Sequence, residues 1–255
     1  MKWEYKCNLK WLKERQQHLT ATDVKELVPY TKTGRSKKIE DEDYVKVLSR
    51  KFVNLTEDDC VSYGAAARGH ILEPFALEVY NGNPRSTFLY HWDDTVICKD
   101  ERDMGLSFSP DATNVPEGNS SPITVIGEVK SYGAEKHFAC GLSDKMDLEE
   151  RWQLATAMAV LPSIEKALLL FFNPSTPFKL FVKEYTRAEL VDEIKIINEV
   201  EKNWLDFIEN RWKDKIPSTI DDFCILGDYS DESEIVGRIE QEDKLNPVGF
   251  QRVVR

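Results

Sequence analysis

The sequence predicts an α/β fold of the α+β kind, and three observations carry that expectation. Apolar residues recur at helical spacing through most of the first 80 or so positions. Between about 86 and 132 the pattern changes to short β-branched and aromatic runs, and a helix, two strands and a long helix then follow. Taken in order, "WLKERQQHLTATDVKELV" sets Asp23 three residues after Thr20, a capping-box spacing that starts a helix near Ala21. After the basic loop "KTGRSKK", "EDEDYVKVLSRKFV" places Tyr44, Val47, Leu48 and Phe52 on one helical face. "GAAARGHILEPFALEVYNG" reads as a third helix, ended by Asn81-Gly82, with Pro74 kinking it or lying near a break. "STFLYHW", "DTVIC", "GLSFSPDA" and "ITVIGEVKSY" read as adjacent antiparallel strands. "DLEERWQLATAMAVL" returns to helix behind an Asp147/Glu150 capping box, and "KALLLFF" and "FKLFVKEY" are strands joined by "NPSTP". Thr186 and Glu189 then open a long helix along which Leu190, Ile194, Ile197, Trp204, Ile208 and Trp212 recur.

With 255 residues, 41% hydrophobic content and six Trp, the chain can bury a substantial core. Residues 1–212 are expected to form the domain that carries the motifs, and 213–255 an acidic C-terminal extension, separate or part of the same domain. No run approaches the ~18 apolar residues of a membrane span, and "MKWEYKCNLKWLKERQQ" lacks the apolar core of a secretory signal, so a soluble cytoplasmic protein is expected. Five scattered cysteines (Cys7, Cys60, Cys98, Cys140, Cys224) with no C-x-x-C pair argue against a disulfide framework and against a zinc or iron–sulfur site. The formal charge of -11 weighs against phosphate binding. Its distribution softens that objection, because nine carboxylates crowd "DDFCILGDYSDESEIVGRIEQEDK" near the C-terminus.

The pattern E-x-K occurs four times, and context separates the occurrences. Glu193 and Lys195 sit in a helix, where residues two apart do not face one another. Glu4 with Lys6 and Glu242 with Lys244 lie in polar terminal stretches. Only Glu128 and Lys130 lie in a strand pattern, where positions i and i+2 project from one face about 6 to 7 Å apart. Mg²⁺ takes oxygen ligands, usually one or two carboxylates with waters and substrate phosphate. Asp111 and Glu128 can supply the carboxylates, and Lys130 can orient or deprotonate an attacking water or stabilise charge on a phosphate. The ordinary alternative is a turn aspartate after Pro110 and a solvated ion pair on an exposed strand. Glu73 and Gln153, on the helices flanking the strands, can complete such a site; taken singly they are a solvent-facing glutamate and a half-buried glutamine.

In this order the motifs resemble the PD-(D/E)XK nuclease superfamily, and within it the phage lambda-type exonuclease or YqaJ viral recombinase family. "WLKERQQHLTATD" is similar to the family's W-x-x-x-R and I-T-A-S/T-D stretch, "RGHILEP" to its G-x-x-x-E-P helix, and "SFSPDA" to its S-x-D motif. "GEVKS" is similar to its E-x-K strand and "RWQLATAM" to its Q-containing helix. The resemblance implies a restriction-endonuclease-like core, a mixed central sheet flanked by helices. It implies that Glu73, Asp111, Glu128 and the Val129 carbonyl bind Mg²⁺, with Mn²⁺ able to substitute, that Lys130 is the catalytic lysine, and that Gln153 supports it. Arg15, Thr22 and Ser109 match positions that hold a DNA phosphate. The implied activity is a DNA exonuclease that hydrolyses one strand of a duplex from its 5′ end, leaving a 3′ single strand for recombination in a phage or prophage setting. A single-strand annealing partner and a homotrimer or other homo-oligomer go with it. The alternatives are an endonuclease of restriction or defence and a DNA-binding scaffold that does not cleave. The sequence departs from the family in the long stretch "ATNVPEGNSSPITVIG" between Asp111 and Glu128, and in the acidic region after about 213, which has no counterpart.

Overall fold

Helices and short strands alternate along the chain: β1 (Glu4–Lys6), α1 (Leu9–Gln16), β2 (Leu19–Thr20), α2 (Ala21–Leu27), α3 (Asp41–Ser49), β3 (Val61–Tyr63), α4 (Gly64–Asn81), β4 (Tyr90–His91), β5 (Cys98–Lys99), β6 (Leu106–Phe108), β7 (Ala112–Thr113), β8 (Val125–Lys130), α5 (Ala134–Leu142), α6 (Leu148–Val160), β9 (Lys166–Phe172), β10 (Leu180–Thr186) and α7 (Val191–Phe207). The computed structural model describes residues 3–31, 34–92, 96–102, 104–142 and 148–212. The expected capping residue Asp147, Cys224, the side chain of Trp212 and the acidic stretch 213–255 lie outside them.

The fold is α+β, as expected, around a mixed five-stranded sheet ordered β10-β9-β8-β7-β4. β8 and β9 run parallel, Val125 to Lys130 against Lys166 to Phe171, while the remaining neighbours are antiparallel. A parallel pair needs a crossover, and α5 and α6 supply it. β9 is buried on both faces, which is why it reads as the unbroken run "KALLLFF". Its Ala167, Leu169 and Phe171 pack with Leu154, Ala157 and Met158 of α6, whereas Leu168, Leu170 and Phe172 pack with Leu72, Ala76 and Leu77 of α4. The sheet is therefore layered between α4 and α6, and Ile126 places the even-numbered face of β8 on the α6 side.

Helix ends are satisfied by side chains, and this fixes the helices that border the sheet. Thr20 and Asp23 form the expected capping box on α2, and buried Asp23 also accepts from Lys51 Nζ at 2.6 Å. Arg187 donates to the carbonyls of Met158, Leu161 and Ile164 at 2.7, 2.9 and 2.8 Å, closing the C-terminal end of α6. Pro74 lies inside α4 without ending it. The long excursion between Asp111 and Glu128 is pinned at its neck, where Asn114 Oδ1 accepts the N–H groups of Thr124 and Val125 at 3.1 and 3.0 Å.

The strand-rich segment departs from sequence expectation. β5 and β6 do not lie beside β4 and β7; they form a separate sheet, ordered β2-β6-β5, with β2 parallel to β6. β4 skips both and pairs with β7. Strands of two or three residues carry too little local pattern to specify partners, and the choice falls to long-range packing. Two smaller expectations also fail. α3 stops at Ser49, leaving Phe52 exposed. Thr186 and Glu189 close a turn, and α7 begins only at Val191.

Candidate active site

β7 is two residues long, and its register with β8 ends at Ala112 opposite Gly127. One residue beyond, the Asp111 carboxylate replaces the next rung of the ladder: its Oδ2 accepts the Val129 N–H at 2.7 Å, while the Asp111 carbonyl accepts from Trp92 N–H at 3.0 Å. The sheet is open at this point, and a cavity of about 380 Å³ occupies the opening. Glu73, Asp111, Glu128, Val129, Lys130, Gln153, Arg15 and Ser109 all line it. Thr22 lines a second hollow of about 30 Å³, which shares Arg15, Ser109, Glu128 and Gln153 with the first. The candidate site residues thus line two hollows that share four of them, although the residues come from four helices and the strand segment.

Glu128 and Lys130 project from the same face of β8, as period two requires, and pair at 2.6 Å between Nζ and Oε1. Gln153, reaching across from α6, donates its amide N–H to the same Glu128 oxygen and accepts from Lys130 Nζ at 3.1 Å. Burial alone would lower the Lys130 pKa, but Glu128 and Asp111 outweigh it and hold the ammonium above its ordinary value. Asp111 shifts the other way for a carboxylate: desolvation first, then repulsion from Glu128 and Glu73, raises it well above the usual range. Glu73 enters from α4 with His70 Nδ1 3.3 Å from one oxygen and His91 Nε2 3.8 Å from the other. These imidazoles overcome its desolvation and lower its pKa.

The remaining wall is α1. Trp11 Nε1 donates to Ser109 Oγ at 3.1 Å, and the Arg15 guanidinium lies over the Trp11 ring at 4.4 Å from its centroid. An indole N–H can only donate, so the Ser109 oxygen is the acceptor and its hydroxyl proton can point at a ligand oxygen. Trp11 and Arg15, one helical turn apart, therefore set a hydroxyl and a guanidinium at the same rim. The sequence reading used Trp11 as the first residue of the W-x-x-x-R motif but gave it no role of its own. It also missed His70, His91 and Lys25, whose Nζ donates to Gln153 Oε1 at 3.2 Å. His70 stands three residues from Glu73 on α4, a signal in hindsight, whereas His91 and Lys25 arrive by tertiary packing alone.

Among the described residues no three His, Cys, Asp or Glu side chains form a ready-made metal cluster. The carboxylates are instead engaged by the protein: Asp111 accepts from the Val129 N–H, Glu128 from Lys130 and Gln153, and Glu73 lies beside the two histidines. The donor chemistry nonetheless suits a hard divalent cation, which takes one or two carboxylates with waters. Such a cation would relieve the repulsion that Glu128 and Glu73 exert on buried Asp111.

No protein-family model matches the chain, and no curated protein matches it. Solved structures do. The fold is similar to that of the alkaline exonuclease LHK-Exo from Laribacter hongkongensis, with a TM-score of 0.55, 16% identity, and coverage of 82% of this chain and 100% of that one. The structure of LHK-Exo in complex with dAMP matches with a TM-score of 0.52 and 16% identity over 81% of this chain and 99% of that one.

Proposed function

We propose that this protein is a divalent-metal-dependent deoxyribonuclease that hydrolyses one strand of duplex DNA from its 5′ end, leaving a 3′ single strand. The observation that carries this reading is the convergence of Glu73, Asp111, Glu128 and Lys130 on one cavity whose rim presents Arg15 and Ser109. Fold similarity to an exonuclease, and that enzyme's complex with a nucleoside monophosphate, support it.

Glu73, Asp111, Glu128 and the Val129 carbonyl would hold Mg²⁺, with Mn²⁺ as a substitute. When bound, the metal lowers the pKa of a water and polarises the phosphoryl oxygen. Lys130 would stabilise charge on the phosphate and orient the incoming water or help deprotonate it as the P–O3′ bond breaks, the water's proton passing to Lys130 or solvent and the leaving 3′ oxygen taking a proton from solvent. Gln153 keeps Glu128 oriented. The Arg15 fork and the Ser109 and Thr22 hydroxyls suit a terminal phosphate monoester, which selects a 5′-phosphorylated end. A single-strand annealing partner, a homo-oligomeric ring that retains the DNA, and a phage or prophage recombination setting extend the same reading.

The test compares linear duplex DNA with a covalently closed circle of the same sequence, in Mg²⁺ or EDTA, for wild type and Lys130→Ala. Mg²⁺- and Lys130-dependent loss of the linear form alone is expected. Cutting of the circle would establish an endonuclease, and cleavage of neither would leave a binding protein. Binding to duplex ends should weaken as salt rises, because phosphate contacts release counterions.

A further inference from the structure

Lys25 is a cation at this site that neither the motifs nor the proposed chemistry uses. It lies on α2, one turn after Ala21 and Thr22, and its Nζ reaches across to α6 to donate to Gln153 Oε1 at 3.2 Å. Lys130 donates to that same oxygen at 3.1 Å, so two ammonium groups share one amide carbonyl. An ammonium group has no acceptor, and a carboxylate has no donor. Only one orientation of the Gln153 amide therefore satisfies its surroundings: oxygen toward the lysines, N–H toward Glu128. The reverse would set an NH₂ group against two ammoniums and an oxygen against a carboxylate.

With Lys130 alone, the Gln153 oxygen would lose its cationic partner whenever Lys130 left it, and Glu128 alone would hold the amide in that orientation. Lys130 is also the group that must serve the phosphate. We propose that Lys25 is a positioning residue, which keeps the Gln153 amide turned toward Glu128 while Lys130 is engaged with substrate, and so maintains the metal-binding carboxylate. The inference rests on the metal site proposed above. The arrangement carries a cost that an incidental helix-surface lysine would avoid. Burial first, and the neighbouring Lys130 second, lower the Lys25 pKa, against only partial compensation from Glu128, Glu149 and Glu150. An ordinary lysine in this position would turn its ammonium to water along its flexible stem.

Mn²⁺ affinity, measured by calorimetry on the full chain bound to a nuclease-resistant phosphorothioate duplex so that Lys130 is engaged, tests this. Lys25→Met should weaken binding by about tenfold or more, the usual effect of losing a group that orients a metal ligand. Lys25→Arg, which restores a cationic donor, should recover most of it. Gln153→Met should show a similar loss, and the double variant should bind no more weakly than Gln153→Met, because both changes break one network. Should Lys25→Met fail to fold by circular dichroism, Lys25→Leu is measured in its place. Affinity within about twofold of wild type in the folded Met or Leu variant, or losses that multiply in the double variant, would overturn the role of Lys25 while leaving the metal site standing. Failure of the folded wild type to bind Mn²⁺ would overturn both readings together.

Discussion

The floor of the cavity is strand and its walls are helix, and the two are held in different ways. On the floor, Asp111, Glu128 and Lys130 are set by backbone: the period of β8 puts two of them on one face, and the third takes up the Val129 N–H where the β7 ladder ends. The walls depend on side chains that bridge elements. Trp11 ties α1 to Ser109, the histidines flank Glu73 of α4, and Gln153 of α6 sits between Lys25 and Lys130. A backbone-fixed floor suits reacting groups, which must not drift, whereas walls built from side chains can select and orient a substrate.

If this division is right, damage to the floor should remove chemistry and damage to the walls should change selection or assembly. Among the largest effects is that of Asp111→Asn, which should slow cleavage by about a thousandfold, the several kcal/mol that a metal contributes, while duplex affinity measured in Ca²⁺ is retained. Loss of binding in step with loss of rate would erase the distinction. Arg15→Ala should leave cleavage of 5′-hydroxyl ends unchanged and lower the preference for 5′-phosphorylated ends by about ten- to a hundredfold, the worth of charge-assisted hydrogen bonds. Paired substrates differing only at that end would show it.

Two stability measurements sharpen the structural side. A Cβ on Gly127 would lie 2.8 Å from Leu89 Cδ1, itself in the core, so Gly127→Ala should destabilise by about 1–3 kcal/mol in chemical denaturation. Thr20→Ala removes the cap of α2, the helix carrying Thr22 and Lys25, and should cost about 1 kcal/mol. A cost near zero for either would mean that the contact named is not one the fold relies on.

The raised pKa of Asp111 gives a dependence whose sign can be worked out. Its folded value lies above the unfolded value of about 3.9. In metal-free protein its contribution is fully present below that value and is lost as pH rises through the raised one. A divalent cation competes with the same proton, so the thermal stabilisation conferred by a fixed Mn²⁺ concentration should grow as pH rises above the unfolded value of about 3.9. A flat or falling response would place the cation elsewhere.

What the sequence made legible follows the same division. Glu128 and Lys130 were readable because strand alternation is local. Thr20 and Asp23 were readable because a capping box spans three residues. Arg15, Glu73, Asp111 and Gln153 became readable only as an ordered set of motifs, since each alone resembles an ordinary surface residue. His91 and Lys25 left no trace, because what brings them to the site is the packing of β4 and α2 against distant elements. The order of the short strands failed for the same reason: β4, β5 and β7 hold two residues each, and chain proximity is a poor guide when partners are chosen across the fold. Phe52 shows the limit of periodicity, which continues past the point where α3 ends.

The central claim is that the strand floor performs metal-dependent hydrolysis, and it is tested most directly by single-turnover cleavage of a 5′-phosphorylated linear duplex at saturating Lys130→Ala, alongside duplex affinity in Ca²⁺. A rate about 10²–10⁴-fold below wild type, at nearly unchanged affinity, is the predicted result. Wild-type turnover by Lys130→Ala would contradict it and would remove the floor of this cavity from the chemistry.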